Sequence, residues 1–471
     1  MQSKSLGRHC KKIVSIFLII AMIVTMWAPS VFALGDPWQG TAEGEVLIKD
    51  TVTKITDQVY EHEVITNNTQ GNDQKIDYLL EVGKSDTIKI AACYGEDDAS
   101  SWSLTPTTEQ AAAYEKNHPG ETVVAGINAD FFNMATGQPR GALVMEGKIY
   151  NQANGMPYFG ITKDGQAVIR TDSDLSDLET AVGGDAILIN NGVPIDASSS
   201  YGELKYSRTA IGIKDDGTVI TFVTHGLNAP VSCGRKYTEI AQMLAEAGCT
   251  WALALDGGGS STYAARPEGS SDLTVRNSPA DGAERAVSSS LLVVSTAEPT
   301  GIFDHAQLSP NNEVYTPGYE VKFEAQGVDT AGMAMELPEG LTWAVAEGSK
   351  DLGTIDENTG VFTAGQETGQ VTVNLIYEGK VVGETTIEIA TPDSIYFASE
   401  EISLGFEESS DLGVVVRNQG RDMNYKAGDI KWEITDNRMG SFEGNIFTSS
   451  DGESLTGTVT ATSAYDAAVY G

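Results

Sequence analysis

Two carboxylates and three arginines fall at positions where residue type and neighbours together could do chemistry. Asp256 follows the apolar run Trp251-Ala252-Leu253-Ala254-Leu255 and opens the segment Asp256-Gly257-Gly258-Gly259-Ser260-Ser261-Thr262. Three glycines behind a strand-end carboxylate allow a sharp turn whose N–H groups could cradle an anion, and Ser260, Ser261 and Thr262 add hydroxyl donors. No Lys follows the glycines, so a nucleotide P-loop fits poorly, and a loop held between a buried strand and Tyr263 is not placed like a linker. A second carboxylate, Asp130, lies in Gly126-Ile127-Asn128-Ala129-Asp130-Phe131-Phe132-Asn133. Asn128 and Asp130 are two apart, so in a strand they share one side while Phe131 turns into the core; the competing reading is a turn in which Asp130 satisfies local backbone. Arg140 stands beside Gly141, Arg208 opens Arg208-Thr209-Ala210-Ile211-Gly212, and Arg285 sits in Glu284-Arg285-Ala286-Val287. Together they could grip a phosphate or carboxylate by bidentate bonds, although each alone is as well explained by a structural ion pair.

The elements that must position these groups read as short apolar strands closed by Gly turns. Val123–Ile127, Ala142–Met145, Tyr158–Ile161, Asp185–Ile189 and Ala210–Ile213 alternate with the hairpin signals Glu146-Gly147, Asp164-Gly165, Asn191-Gly192 and Asp216-Gly217. This spacing predicts a mixed, largely antiparallel sheet domain of α+β class. Tyr237 to Ala247 places Ile240, Met243, Leu244 and Ala247 on one stripe, a helix that Gly248 ends. It feeds the run ending at Leu255, which suits a strand buried on both faces. Upstream, residues 34–119 contain strand-like stretches at Val46–Lys54 and Thr87–Cys93 and a helix at Thr107–Lys116, which we read as the N-terminal α+β part of the same region.

With 471 residues the chain exceeds one ordinary core. Residues 1–33 read as an export signal: Lys4, Arg8, Lys11 and Lys12 precede an apolar run from Ile13 to Trp27, and Val31-Phe32-Ala33 forms a small-residue cleavage site. The run is short for a membrane span, so no retained span is expected and the protein is read as secreted or displayed at the cell surface. Cleavage removes four basic residues and no acidic ones, taking the net charge from −36 to −40, which disfavours nucleic acid as a partner. Cys93, Cys233 and Cys249 remain, an odd number that permits at most a Cys233–Cys249 bridge. No acidic or thiol cluster has metal-ligand spacing, so no metal or other cofactor is expected. After residue 297 a repeat of about 90 residues emerges: Trp343, Gly353-Thr354-Ile355, Val361-Phe362-Thr363 and Val371-Thr372-Val373 are echoed by Trp432, Gly440-Ser441-Phe442, Ile446-Phe447-Thr448 and Val459-Thr460-Ala461. Each unit has the strand density of a small all-β sandwich anchored on its Trp.

The motifs at 126–132, 208–212, 255–262 and 284–287, in that order, resemble those of the phosphodiester glycosidase family, across a domain placed at 120–297. The repeats, placed at 305–391 and 392–471, resemble bacterial immunoglobulin-like domains; the second lacks an obvious closing strand, so a longer parent chain is expected. The first resemblance implies hydrolysis of a sugar-1-phosphodiester at the anomeric carbon, with a phosphodiester-linked carbohydrate as partner and substrate. It implies a carboxylate beside the sugar, with Asp256 foremost, then Asp130, then Glu284. Asn128, Arg140, Arg208, Arg285, Gly257, Gly258, Gly259, Ser260, Ser261 and Thr262 are the implied substrate contacts. Where many relatives have an Asp-Gly-Arg-like turn, this chain reads His225-Gly226-Leu227-Asn228, which makes His225 a candidate polar contact or proton carrier. Two non-catalytic readings use the same residues: a module that grips an anionic wall glycan, with the repeats as a spacer or a second wall contact, and a surface adhesin with a degenerate site. A strand-end carboxylate within the glycine turn favours catalysis, because anion binding gains nothing from an Asp there.

Overall fold

The computed structural model describes residues 33–38, 40–196, 201–226, 231–397, 401–452 and 454–471. The export signal read at 1–33 lies outside them apart from Ala33, as do Leu227 and Asn228. Up to residue 295 the chain forms strands β1 (Glu45–Thr56), β2 (Val59–Asn68), β3 (Lys75–Val82) and β4 (Ile88–Tyr94), helix α1 (Thr107–Asn117), and then β5 (Thr122–Asn128). Next come β6 (Leu143–Met145), β7 (Lys148–Asn151), β8 (Tyr158–Thr162), β9 (Ala167–Arg170), β10 (Leu178–Gly183), β11 (Ile187–Asn190) and β12 (Val193–Pro194). The remainder is β13 (Arg208–Lys214), β14 (Val219–Thr224), α2 (Tyr237–Glu246), β15 (Cys249–Ala254), β16 (Tyr263–Ala265), β17 (Thr274–Val275) and β18 (Ser289–Ser295).

These strands make three sheets, ordered β1-β2-β3-β14-β13-β15-β11-β12, β17-β16-β5-β18-β4 and β7-β6-β10-β8-β9. All their described pairings are antiparallel, so the mixed character expected of this domain is absent among them. One core lies where the sheets meet: Leu80, Ile211, Val223 and Leu253 from the first pack with Ile127 and Leu291 from the second and Phe159 and Val182 from the third. The apolar stripe of α2, with Ile240, Met243 and Leu244 fully buried, covers the opposite face of the first sheet against Leu79, Ile220 and Phe222. Helix α1 lays Ala111 and Tyr114 on the outer face of the second sheet, against Val123, Leu292 and Val294. Each burial removes an apolar face from water, the main favourable term in forming the layers.

Residues 34–119 are an integral part of these layers. Strand β14 pairs with β3 along its whole length, Val219 to Val82 and Thr224 to Asp77, and β4 pairs with β18 from Ile88–Ser295 to Tyr94–Ser289. A buried ion network secures this part. His62, fully buried, lies 3.1 Å from Asp50 and faces Glu81 across 3.5 Å, and Glu81 also binds Lys214 at 2.9 Å. Burial opposes charge on His62, but Asp50 and Glu81 outweigh it and raise its pKa from 6.5 to about 9. Burial likewise opposes the Glu81 carboxylate, yet His62, the Gly35 N–H and Lys214 prevail and lower it from 4.5 to about 2. The His62 contribution is therefore full below pH 6.5 and lost as pH rises through about 9, whereas that of Glu81 is full above pH 4.5 and lost as pH falls through about 2. Thermal unfolding followed from pH 7 to 10 is expected to show a falling midpoint that His62→Gln flattens; an unchanged slope in the variant refutes the assignment.

Cys93, Cys233 and Cys249 are all free thiols, so the bridge that the sequence permitted does not form. Cys249 is buried in β15, where a Cβ on Gly212 would lie 2.6 Å from its sulfur, while Cys233 sits in the loop before α2.

The C-terminal units realise the sequence repeat as two matching strand sets. In the first, the Trp343 strand (Thr342–Val345) pairs antiparallel with Gly369–Tyr377, and Val361–Ala364 lies between Glu320–Lys322 and Gly353–Ile355. In the second, the Trp432 strand (Ile430–Ile434) pairs with Val459–Ser463, and Ile446–Ser449 lies between Ser409–Asp411 and Gly440–Glu443. Trp343 packs near Phe323, and Trp432 stacks on Phe442 with centroids 4.5 Å apart. Val314–Tyr315 joins the units by pairing in parallel with both Lys380–Ile389 and Arg421–Asn424.

Candidate active site

The site forms where the first two sheets meet end to end. Asn128 closes β5 and Asp256 lies two residues beyond β15. The Asp256 N–H donates to the Ala129 carbonyl at 2.9 Å, and the Asn128 amide donates to the Asp256 carbonyl at 2.7 Å. Asp256 is 7% exposed and Asp130 1% exposed. Burial raises Asp130 from the ordinary carboxylate range to about 7; the Gly141 N–H and Arg140 pull it down and the neighbouring Asp256 adds to the rise. Burial likewise raises Asp256, to about 6, against the pull of the Ser260 hydroxyl, the Gly257 N–H, Arg285 and Arg140. Two coupled carboxyls therefore lie just beyond the ends of β5 and β15, and burial raises both.

The backbone around Asp130 leaves no room for larger residues. Its Oδ2 accepts the Gly141 N–H at 2.5 Å, while Oδ1 is buried with no partner among the described residues. A Cβ on Gly183 would lie 2.5 Å from that Oδ2 and 2.7 Å from the Gly141 Cα. Gly183→Ala is therefore expected to displace the carboxyl and lower kcat by about a hundredfold, the scale of an ångström-level misplacement. Circular dichroism should remain native, and a variant with full activity counts against Asp130.

Strand alternation stops with β5 at Asn128, so Asp130 and Phe131 follow loop geometry. Phe131 does not turn into the core as expected: it is half-buried, lies under the Arg140 guanidinium at 4.4 Å and meets Tyr201 edge-on at 6.2 Å. Asn128 uses its side chain entirely on protein, donating to the Asp256 carbonyl and accepting from the Thr209 hydroxyl (2.8 Å) and the Thr262 N–H (3.0 Å). It positions the loop and does not face a ligand.

The glycine turn also folds inward. Gly258 to Ser260 form a single 3-10 turn. The N–H groups of Gly258, Ser260 and Ser261 close on the carbonyls of Ser207, Gly257 and Gly258, and the Gly257 N–H faces the Asp256 carboxylate. The anion held by this cradle is thus Asp256 itself. Ser261 and Thr262 are fully buried, with the Ser261 hydroxyl 3.2 Å from that of Thr209 and the Thr262 hydroxyl donating to the Ser260 carbonyl. Asn277, which gave no signal in the sequence, fastens the turn by donating to the Ser261 carbonyl at 2.9 Å and accepting the Tyr263 N–H at 2.8 Å.

Two of the three arginines reach the pair. Arg140 is held by Asp185 at 2.8 Å and acts on both carboxyls. Arg285 is held by Asp281 at 2.7 Å and by the Ser260 hydroxyl at 3.4 Å. Its guanidinium lies where a Cβ on Gly259 would fall, 1.9 Å from Nη2, which explains that glycine. Arg208 does not join them: fully buried, it donates to the carbonyls of Tyr201, Leu204 and Arg235 and is walled by Tyr201 at 4.2 Å and Tyr237 at 4.5 Å. It braces the wall behind Gly257. Glu284 is also elsewhere, accepting the Thr108 N–H at 3.0 Å and the Thr108 hydroxyl at 2.6 Å, where it caps α1. His225 is buried with its Nε2 accepting the Ser278 N–H, and burial lowers its pKa against the pull of Asp77 and Glu63. Its Nδ1 is buried with no partner among the described residues. Sequence reasoning missed Asp185 and Asp281 because an acidic residue in so acidic a chain carries no signal by itself. Among the described residues no group of three His, Cys, Asp or Glu side chains is arranged to hold a metal ion.

Comparison with known proteins assigns the class. Residues 121–294 match the family model described as phosphodiester glycosidase, so the chain carries a domain of that family. N-acetylglucosamine-1-phosphodiester alpha-N-acetylglucosaminidase of Mus musculus is 28% identical over 159 residues, covering 29% of this chain and 30% of the mouse protein. The chain thus matches less than a third of that relative's length. Among solved structures, the catalytic domain of the zebrafish enzyme of the same name, auto-inhibited by its pro-peptide, matches with 19% identity and a TM-score of 0.41 over 52% of this chain and 87% of that one. A hypothetical protein from Synechocystis matches with 15% identity and a TM-score of 0.40 over 52% and 64%.

Proposed function

We propose that this protein hydrolyses a sugar-1-phosphodiester at the anomeric carbon. The observation that carries the reading is the buried carboxyl pair, Asp130 and Asp256, flanked by the half-exposed Arg140 and Arg285. In the reaction the bond between the anomeric carbon and the phosphate oxygen breaks, and its electron pair leaves with the phosphomonoester. Water supplies the new oxygen on the sugar and releases one proton. Ionised Asp256 serves the electron-poor carbon, as nucleophile or as base for water, because the transition state is oxocarbenium-like. Protonated Asp130 is the proton source for the departing oxygen, and the two arginines take up the phosphate charge that grows there. A phosphate already leaves well, so stabilising the anion matters more here than in an ordinary glycoside.

The C-terminal units serve as immunoglobulin-like spacers that hold the enzyme off a surface, and the apolar start of the chain exports it. Their strand repeat and the signal-like residues 1–33 support this reading. No described helix is long and apolar enough to cross a membrane.

The test is release of reducing sugar from a panel of UDP-N-acetylglucosamine, envelope-type sugar-1-phosphodiesters and matched simple glycosides by the full chain. Cleavage confined to the phosphodiesters supports the proposal. If none is cleaved while anionic wall glycans bind, the domain is a binding module. Arg285→Ala should raise KM for a cleaved phosphodiester by about tenfold or more, as expected for one charge-assisted contact, with little effect on simple glycosides. An unchanged KM removes Arg285 from the phosphate site.

A further inference from the structure

A cavity lies at the other end of the same sheets. Val82 pairs with Val219 and Ile88 with Ser295, five or six residues along their strands from Thr224 and Tyr94, which mark the carboxyl end. At the usual rise per residue the two ends are roughly 17 Å apart. The cavity measures about 390 Å³, within the range of small-molecule sites. Val82, Ile88, Met145, Ile161, Ala167 and Val219 form its apolar floor, and Ser85, Tyr150 and Thr162 add hydroxyls to its lining.

The rim carries charge, most of it already committed. Lys89 binds Glu121 at 2.8 Å, Lys163 donates to the Ser176 carbonyl at 2.9 Å, and His118 engages both Asp97 and Glu146, at 2.9 and 3.7 Å. Lys84 has no hydrogen bond or ion pair among the described residues. Its chain crosses the Gly217 turn, where a Cβ would lie 2.4 Å from its Cε and 2.7 Å from its Nζ, and both residues line the cavity. Glu179, also on the rim and without an ion pair there, disfavours a polyanion but tolerates a single negative head.

We propose that this cavity binds an amphiphile with one alkyl chain and one anionic head, phosphate or carboxylate, the chain on the apolar floor and the head on Lys84. The site is separate from the carboxyl pair and stands or falls independently of the glycosidase reading. Calorimetric titration of the full chain with hexyl phosphate, octyl phosphate, octanoate and inorganic phosphate tests it. Octyl phosphate should bind about tenfold more tightly than hexyl phosphate, the effect of two buried methylenes, and inorganic phosphate should not bind measurably. The preferred eight-carbon ligand identifies the head as phosphate or carboxylate. Lys84→Gln, an exposed change that spares the core, should weaken binding at least fivefold; Ala167→Phe should fill the floor and remove the dependence on chain length; Asp256→Asn should leave binding intact. Absence of binding, affinity independent of chain length, or indifference to Lys84→Gln overturns the proposal.

Discussion

Asp256→Asn is expected to reduce turnover by about a thousandfold or more while leaving the fold intact, whereas Asp130→Asn should cost nearer a hundredfold, within the usual span for acid–base groups. The difference follows from the leaving group. A carboxylate at the anomeric carbon has no substitute once removed, but a departing phosphate depends only partly on a proton. Folding should survive both changes, since Asn retains the shape of Asp and its amide can still meet the Ser260 hydroxyl or the Gly141 N–H. With Asp256 titrating at about 6 and Asp130 at about 7, the productive form has the first ionised and the second protonated. The rate should rise as pH passes 6 and fall above 7, with the two limbs belonging to the coupled pair. Asp130→Asn should lose the alkaline limb. A pH–rate profile of kcat/KM for each variant checks this, and an alkaline limb retained without Asp130 assigns the proton to another group.

The largest loss of stability is expected from Arg235→Met. Arg235 is fully buried and binds Asp77 through Nε at 2.8 Å and Nη2 at 2.6 Å, Glu45 through Nη1 at 3.0 Å, and the Thr66 hydroxyl at 2.9 Å. Its removal strands Asp77, which pairs with no other cation among the described residues, whereas Glu45 keeps Lys75 at 2.5 Å. Breaking such a pair by deleting one partner costs about 3–5 kcal/mol, a large fraction of a typical domain's roughly 5–15 kcal/mol. The urea midpoint should fall accordingly. Arg235→Met with Asp77→Leu should recover most of the loss, because the penalty lies in the abandoned charge; no recovery in the double variant assigns the loss to packing instead. Activity should suffer as well, because the Arg235 carbonyl receives Arg208 at 3.2 Å, behind the glycine turn.

Local patterns were readable wherever a residue's neighbours in sequence decide its conformation. The runs at 123–127, 158–161 and 210–213 are β5, β8 and β13, and α2 runs as its apolar stripe requires, with Gly248 past its end at a φ of 89°. Glu146-Gly147 and Asn191-Gly192 both turn with positive φ, as two-residue hairpins require. Partners distant in sequence were not readable. Nothing local shows that Arg208 is drawn into a tyrosine wall, that Glu284 caps a helix 176 residues away, or that Asp185 and Asp281 hold Arg140 and Arg285. Glycines signalled that backbone comes close to something, without saying what. At Gly259 it is a guanidinium and at Gly183 a carboxyl. Arg235 escaped notice altogether, because its loop carries no pattern and its importance comes from burial.

The family model's match begins at residue 121, yet β14 and β18 each receive a neighbour from before it, β3 and β4. A polypeptide cut at that boundary would carry two long rows of unsatisfied peptide groups, both apolar-faced and primed to bind other chains edge to edge. The unit that folds and the stretch that the family model matches are therefore different lengths, and the insoluble product of the shorter piece would be mistaken for an inactive enzyme.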